Sequence, residues 1–319
     1  MSRRSSPDTL MLRSAGLNTR LDPERLQQAN RQNGYEIEFA KAVNVSLDER
    51  GLPELRTGKE LLEPGEYHSL FCSGGDCFVI HERTNDAAIM QVTSLSPLIL
   101  TGVRSGLTKG LRMAWAQSNA DTFYSNGTQN GFIRSGISSA WPSGTYNGPD
   151  DDRSFSAAPI ASHIAFLFGG MVALASGSGI YLNHAPYQYG LFNLRSGYIG
   201  LQSNVIMLIS NASGFFVSDE ERTWFFRKLD GWYRFKQELV ADYPAMVGAV
   251  SHDAVPAKDL GFNAAGLCRV WGSQEGICVG LPDGSVESLT QDRVPFPQGY
   301  TSGACLVYQD TKIIQTCRG

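Results

Sequence analysis

The sequence predicts an all-β chain folded as a six-bladed β-propeller, with seven blades the next count. Three observations carry this. A short phrase recurs: a small or turn residue, two or three apolar or aromatic residues, then a polar turn. It reads Asp76-Cys77-Phe78-Val79-Ile80-His81, Asp121-Thr122-Phe123-Tyr124-Ser125-Asn126, Gly179-Ile180-Tyr181-Leu182-Asn183-His184, Gly214-Phe215-Phe216-Val217-Ser218-Asp219 and Gly276-Ile277-Cys278-Val279-Gly280-Leu281, with a weaker copy at Thr311-Lys312-Ile313-Ile314-Gln315. The mean spacing is roughly 45–50 residues, the length of a four-stranded blade. Finally, each end of the array carries a hairpin pattern with no neighbour, as expected of a ring closed by joining its termini.

The elements follow in order. Residues 1–40 show little alternation and read as an extended N-terminal arm with one short helix around 23–32; residues 41–319 read as the propeller. Alternating residues 42–47 and 52–57 flank a Gly-containing turn and make a hairpin. The first blade has strands at 68–72, 77–82 and 87–93, the second at 112–117, 122–125 and 131–134. The third has 163–168, 171–175 and 179–183. The fourth runs through 205–210, 215–218, 223–227 and 232–239, and the fifth through 266–271, 276–280 and 285–289. The last hairpin, 304–308 with 312–316, has only two strands. Placed in one sheet with residues 42–57 it completes a sixth blade and removes two open edges. Residues 137–162 and 242–263 read as long inter-blade loops, where function is usually grafted.

Composition narrows the function classes. Charged residues are 18% of the chain, below the roughly 25% usual for soluble domains. Stacked sheets that bury more side chains explain this, and so does a surface covered by partners. A net charge of −4 argues against a broad nucleic-acid-binding surface. Only the arm is basic, with Arg3, Arg4, Arg13, Arg20, Arg25 and Arg31 against Asp8, Asp22 and Glu24. The polar opening residues resemble no secretory signal and no apolar run reaches membrane-span length, so a cytoplasmic origin is expected.

Catalytic motifs are sparse. Ser218-Asp219-Glu220-Glu221-Arg222-Thr223-Trp224 resembles a sialidase Asp-box but is short and lacks its glycine. The five histidines form no metal-binding pair. Asp150, Asp151 and Asp152 offer oxygens for calcium without EF-hand spacing, and a solvated acidic loop is the plainer reading. Phosphate loops and Gly-x-Ser-x-Gly elbows are absent. No catalytic residue, metal or cofactor is expected, and the chain reads as a non-enzyme, with a glycosidase the enzyme class kept in view. Cysteines pair in sequence as Cys72 with Cys77, Cys268 with Cys278 and Cys305 with Cys317. Each pair flanks a turn, and free thiols acting as small core hydrophobes are expected.

Several phrases together carry a family resemblance. Ala15-Gly16-Leu17-Asn18-Thr19-Arg20-Leu21-Asp22-Pro23 and Ala42-Val43-Asn44-Val45-Ser46-Leu47-Asp48 with Gly51 resemble the opening of tailed-bacteriophage virion proteins with a propeller body. Tyr124-Ser125-Asn126-Gly127, Val217-Ser218-Asp219 and Leu281-Pro282-Asp283-Gly284 match the turn phrases of those proteins. The resemblance implies a structural protein at the head-tail connector, neck or tail nozzle. It would form a homo-oligomeric ring, six-fold by expectation, around the DNA exit channel, meeting portal, adaptor or tail proteins. DNA would pass without sequence-specific binding, and no membrane is involved. The basic arm (Arg3, Arg4, Arg13, Arg20, Arg25) and Trp141, Tyr187 and Tyr189 are the expected contact residues, and Asp150, Asp151 and Asp152 the expected channel loop. A carbohydrate- or receptor-binding propeller using the same aromatics is the alternative.

Overall fold

The computed structural model describes the strands Arg13–Leu17, Glu36–Phe39, Val45–Leu47 and Pro53–Leu55, and residues 61–146, 155–290, 299–308 and 312–318. Contacts divide the chain into two units, residues 1–61 with 289–296 and residues 62–288 with 297–319. In the first unit, Arg13–Leu17 and Glu36–Phe39 form a parallel pair within the segment expected as an extended arm. Val45–Leu47 pairs antiparallel with Pro53–Leu55, as the hairpin pattern predicts. The helix expected around 23–32 lies outside the described residues.

The second unit is all-β and propeller-like. Four antiparallel four-stranded sheets succeed one another along the chain. The first holds Glu66–Ser73, Asp76–Glu82, Ala87–Leu95 and Leu98–Leu107. The second holds Ala114–Ser118, Asp121–Ser125, Asn130–Arg134 and Ile137–Ser139. His163–Leu167, Met171–Ser176, Gly179–Leu182 and Tyr198–Gly200 make the third. Val205–Asn211, Gly214–Asp219, Thr223–Lys228 and Phe235–Ala241 make the fourth. The fifth sheet is built on Leu267–Ser273, Gly276–Gly280 and Val286–Ser288, with Ala245–Val250 antiparallel to the first of these.

Three expectations need correction. The C-terminal hairpin, Ser302–Tyr308 with Lys312–Arg318, does not share a sheet with residues 42–57 among the described pairings. It extends the fifth sheet instead, running parallel to Ala245–Val250 through Val247 opposite Ser302. The supposed loops 137–162 and 242–263 contain strands, because Ile137 continues a hairpin across the Ser135-Gly136 turn and Ala245–Val250 supplies that pairing edge. The free-thiol expectation fails at Cys72 and Cys77, which form a disulfide. Gly74 and Gly75 both take positive φ, the requirement of a two-residue hairpin turn that sets Cys72 directly opposite Cys77. The other pairs miss each other: Cys268 faces Val255 and Cys278 faces Trp271, while Cys305 faces Gln315 and Cys317 faces Gly303.

The recurring apolar phrase is explained by burial on both faces. A strand with one wet face would alternate apolar and polar residues, whereas one covered on both faces reads as a continuous apolar run. In Gly214–Asp219, Phe215 and Val217 enter a core shared with the third sheet, and Phe216 enters one shared with the fifth. Likewise Phe123 and Tyr124 separate into the cores toward the third and first sheets. Val172 and Leu174 face one neighbour of the third sheet while Ala173 and Ala175 face the other.

The polar end of the phrase ties sheets together. Buried Ser218 Oγ accepts the Ala245 N–H at 2.8 Å, at the start of the strand that opens the fifth sheet. Ser125 Oγ accepts the Ala161 N–H at 3.2 Å, just before the third sheet begins. The next residue caps the turn: Asp219 accepts the N–H groups of Glu221 and Arg222 and the Trp224 indole N–H. Asn126 Oδ1 accepts those of Thr128 and Gln129. Such local side-chain bonds are why Ser, Asn and Asp sit at turns.

Candidate functional site

Three features of the second unit could do chemistry or bind a partner. The first is a polar cluster on the opening strand of the first sheet. Between His68 and Phe71 the ladder slips, so Ser69 and Leu70 together oppose Val79. Ser69 has φ of 52°, a conformation non-glycine residues seldom adopt. His68 contacts the Ser69 hydroxyl through Nδ1 at 2.8 Å and Glu82 Oε1 through Nε2 at 2.8 Å. The Gly110 N–H also donates to Glu82 Oε1 at 2.9 Å. Burial raises the pKa of Glu82, but hydrogen bonds from His68 and Gly110 and the charges of His68 and Lys109 outweigh it and hold the carboxyl below its ordinary range. Its Oε2 is buried with no hydrogen-bond partner.

The second feature is the hairpin 87–107. Leu98–Leu107 stands at the edge of the first sheet. Its ionisable side chain, Arg104, turns away to the Tyr124 hydroxyl and the Asn130 carbonyl. At the tip, Leu95 is 69% and Ile99 48% exposed. The corresponding strand of the fourth sheet is guarded differently, by Arg227 and Lys236 on Glu238.

The third is an open depression of about 450 Å³ lined by Ser156, Ala157, Pro159, Tyr181, Leu194 and Tyr198. The two tyrosine rings lie 5.3 Å apart.

Two of the three aromatic residues expected as contacts are engaged within the fold. Trp141 and Tyr189 belong to the core between the second and third sheets. The Trp141 indole N–H donates to the Tyr189 carbonyl at 2.7 Å, and the Tyr189 hydroxyl meets Ser118 Oγ at 2.9 Å. Tyr187 alone of the three is openly exposed, at 65%. Arg13 lies opposite Glu36 in the parallel pair. Arg3, Arg4, Arg20 and Arg25 of the arm and the loop Asp150, Asp151 and Asp152 lie outside the described residues.

The His68–Glu82 contact was missed by motif reading because 14 residues separate the pair. The hairpin register held the signal: Glu66 opposite Glu82 and His68 opposite Ile80 make His68 and Glu82 diagonal neighbours on one face. Among the described residues, no group of three or more His, Cys, Asp or Glu could hold a metal ion. Nor is any described helix long and apolar enough to cross a membrane.

No family model matches the chain, and no curated protein matches it in sequence. Solved structures resemble it in shape. A functionally unknown protein from Desulfotomaculum acetoxidans is 8% identical, with 77% of this chain and 78% of that one covered and a TM-score of 0.45. A protein from Lactobacillus plantarum is 11% identical, with 72% of each chain covered and a TM-score of 0.46. A surface component of the type-IX secretion system of Porphyromonas gingivalis is 13% identical, with 79% of this chain and 29% of that one covered and a TM-score of 0.41.

Proposed function

We propose that the chain is a structural subunit of a tailed-bacteriophage particle, a six-bladed propeller that assembles as a ring at the head-tail connector or tail nozzle. The supporting observation is the hairpin 87–107: an edge strand whose single ionisable side chain, Arg104, is turned to Tyr124 and Asn130, with an apolar tip. Monomeric proteins blunt such edges with charge or cover, since open ones pair with other chains. A subunit built to sit among other subunits has that cover supplied. In this reading the basic N-terminal arm carries contacts that dock the subunit. Its contacts are with copies of itself and with portal, adaptor or tail proteins, and the role requires no catalysis. Deleting residues 1–35 should leave a folded protein that no longer joins particles. Normal incorporation of that truncation would overturn the arm's part. Side-chain-resolution electron microscopy of intact particles tests the location: a site on the capsid exterior, away from the tail axis, would refute it.

The depression beside Tyr181 and Tyr198 favours a second reading, a carbohydrate-binding propeller, since exposed tyrosine faces stack on sugars. It moves the sugar platform from Trp141 and Tyr189, which are engaged in the core. A glycan array distinguishes the two: binding to one glycan class, lost on Tyr198→Ala, supports the lectin.

A further inference from the structure

We propose that Ser69, His68 and Glu82 form an acyl-transfer site, with Ser69 as nucleophile toward small carboxylic esters. The inference is independent of the assembly reading.

With His68 neutral, the hydrogen-bond accounting allows one consistent set of proton positions. An ionised carboxylate only accepts, so the 2.8 Å contact with Glu82 Oε1 places the His68 proton on Nε2. Neutral His68 then has a bare Nδ1 toward the Ser69 hydroxyl, 2.8 Å away. The Met113 N–H donates to Ser69 Oγ at 3.0 Å, which leaves the hydroxyl's own proton for Nδ1. Each group is therefore poised as nucleophile, base and orienter, with the two ring nitrogens exchanged relative to the familiar serine triad. The setting is consistent. Ser69 holds a left-handed φ at a bulge, and such strained residues cluster at functional sites. The Trp115 indole N–H fixes the Ser69 carbonyl at 2.8 Å. The His68 side chain is 30% exposed and that of Glu82 7%, so the base meets solvent while the orienter is screened. Exposed Leu70, next in the bulge, offers an apolar seat for the acyl chain.

The reaction balances without a co-reactant beyond water. Ser69 Oγ bonds to the ester carbonyl carbon while its proton passes to His68 Nδ1, and the carbonyl electron pair moves onto oxygen. Met113 N–H, already beside Oγ, is the donor that can turn to this oxyanion. Collapse breaks the bond to the alkoxy oxygen, which leaves as an alcohol carrying the proton from Nδ1. Water then repeats the sequence on the acyl-serine, releasing the carboxylic acid and restoring Ser69. Glu82 touches no reacting atom and acts as a positioning residue.

The test treats the full chain with a fluorophosphonate probe and locates the adduct by peptide mass spectrometry. The expected result is phosphonylation of Ser69 in the native protein, absent after heat unfolding, together with hydrolysis of p-nitrophenyl butyrate that Ser69→Ala abolishes. His68→Asn should slow labelling at least about 100-fold, in line with loss of a positioned base. Glu82→Gln should slow it about 10-fold in protein that is still folded at the assay temperature, with partial recovery in Glu82→Asp. Native protein that carries no adduct on Ser69 would overturn the proposal without any variant. Labelling of His68→Asn at the parental rate would overturn it as well.

Discussion

Replacing Ser218 by Ala tests whether the serine of the recurring phrase fastens one sheet to the next. The hydroxyl is fully buried and accepts the N–H of Ala245, itself 4% exposed. Thr223 Oγ1 keeps its bond to the Tyr243 carbonyl at 3.0 Å, so the main loss is a buried N–H with nothing to meet. That penalty is about 1–3 kcal/mol. With an unfolding entropy of about 2.1 cal/mol/K per residue over 319 residues, a loss of about 2 kcal/mol lowers the melting temperature by about 3 °C. Calorimetry and urea titration should agree, with the midpoint shifted and the slope unchanged. Amide exchange should accelerate at Ala245 above all. Ser125→Ala should behave alike through Ala161, and Ser105→Ala, at an exposed position, is the control. A Ser218→Ala protein that melts with the Ser105→Ala control, its Ala245 amide still protected, would refute the reasoning.

Two further outcomes follow from packing and charge. Gly280→Ala should destabilise by about 1–3 kcal/mol through overpacking, because its Cβ would meet the Phe216 ring and approach Trp271 Cζ3 to 2.8 Å; a melting temperature equal to the parent's would count against this. Hydrogen bonds from Arg227 and Lys236 hold the Glu238 pKa down to about 2, so its contribution is present above the ordinary pKa of 4.5 and is lost as pH falls toward 2. Glu238→Gln should therefore differ from the parent in urea stability at pH 6 and converge with it near pH 2, and a gap that widens on acidification would contradict the assignment.

The sequence exposed the middle strands best, since Phe215, Phe216 and Val217 carry the double burial in consecutive letters. Outer strands were harder to see. Leu98–Leu107 includes Gly102, Arg104 and Gly106, and Ile137–Ser139 and Tyr198–Gly200 have three residues each, too short for alternation to register. Ala245–Val250 was concealed by Pro244 before it and Gly248 within it, because both weaken a strand pattern. The setting of Trp141 and Tyr189 was hidden for a different reason. Composition cannot tell a Trp whose indole N–H is spent on a carbonyl, as Trp141's is, from one that waits for a ligand. The Ser-Asn and Ser-Asp turns were legible as signatures, but their bond to the following sheet spans 36 residues at Ala161 and 27 at Ala245, beyond any local pattern.

The double-sided middle strand also governs how the chain must be born. Among the described residues, each core between neighbouring sheets of the second unit takes side chains from both. During synthesis the first sheet ends at Leu107, while its partner core still waits for Trp115, Tyr124 and Ile133. At about 5–20 residues per second, that core stays incomplete for roughly one to five seconds after Leu107 is added. The same delay recurs with every following sheet, so the nascent chain carries a travelling sticky front from one sheet to the next. Chaperone demand should follow that front, peaking once per sheet rather than once per protein.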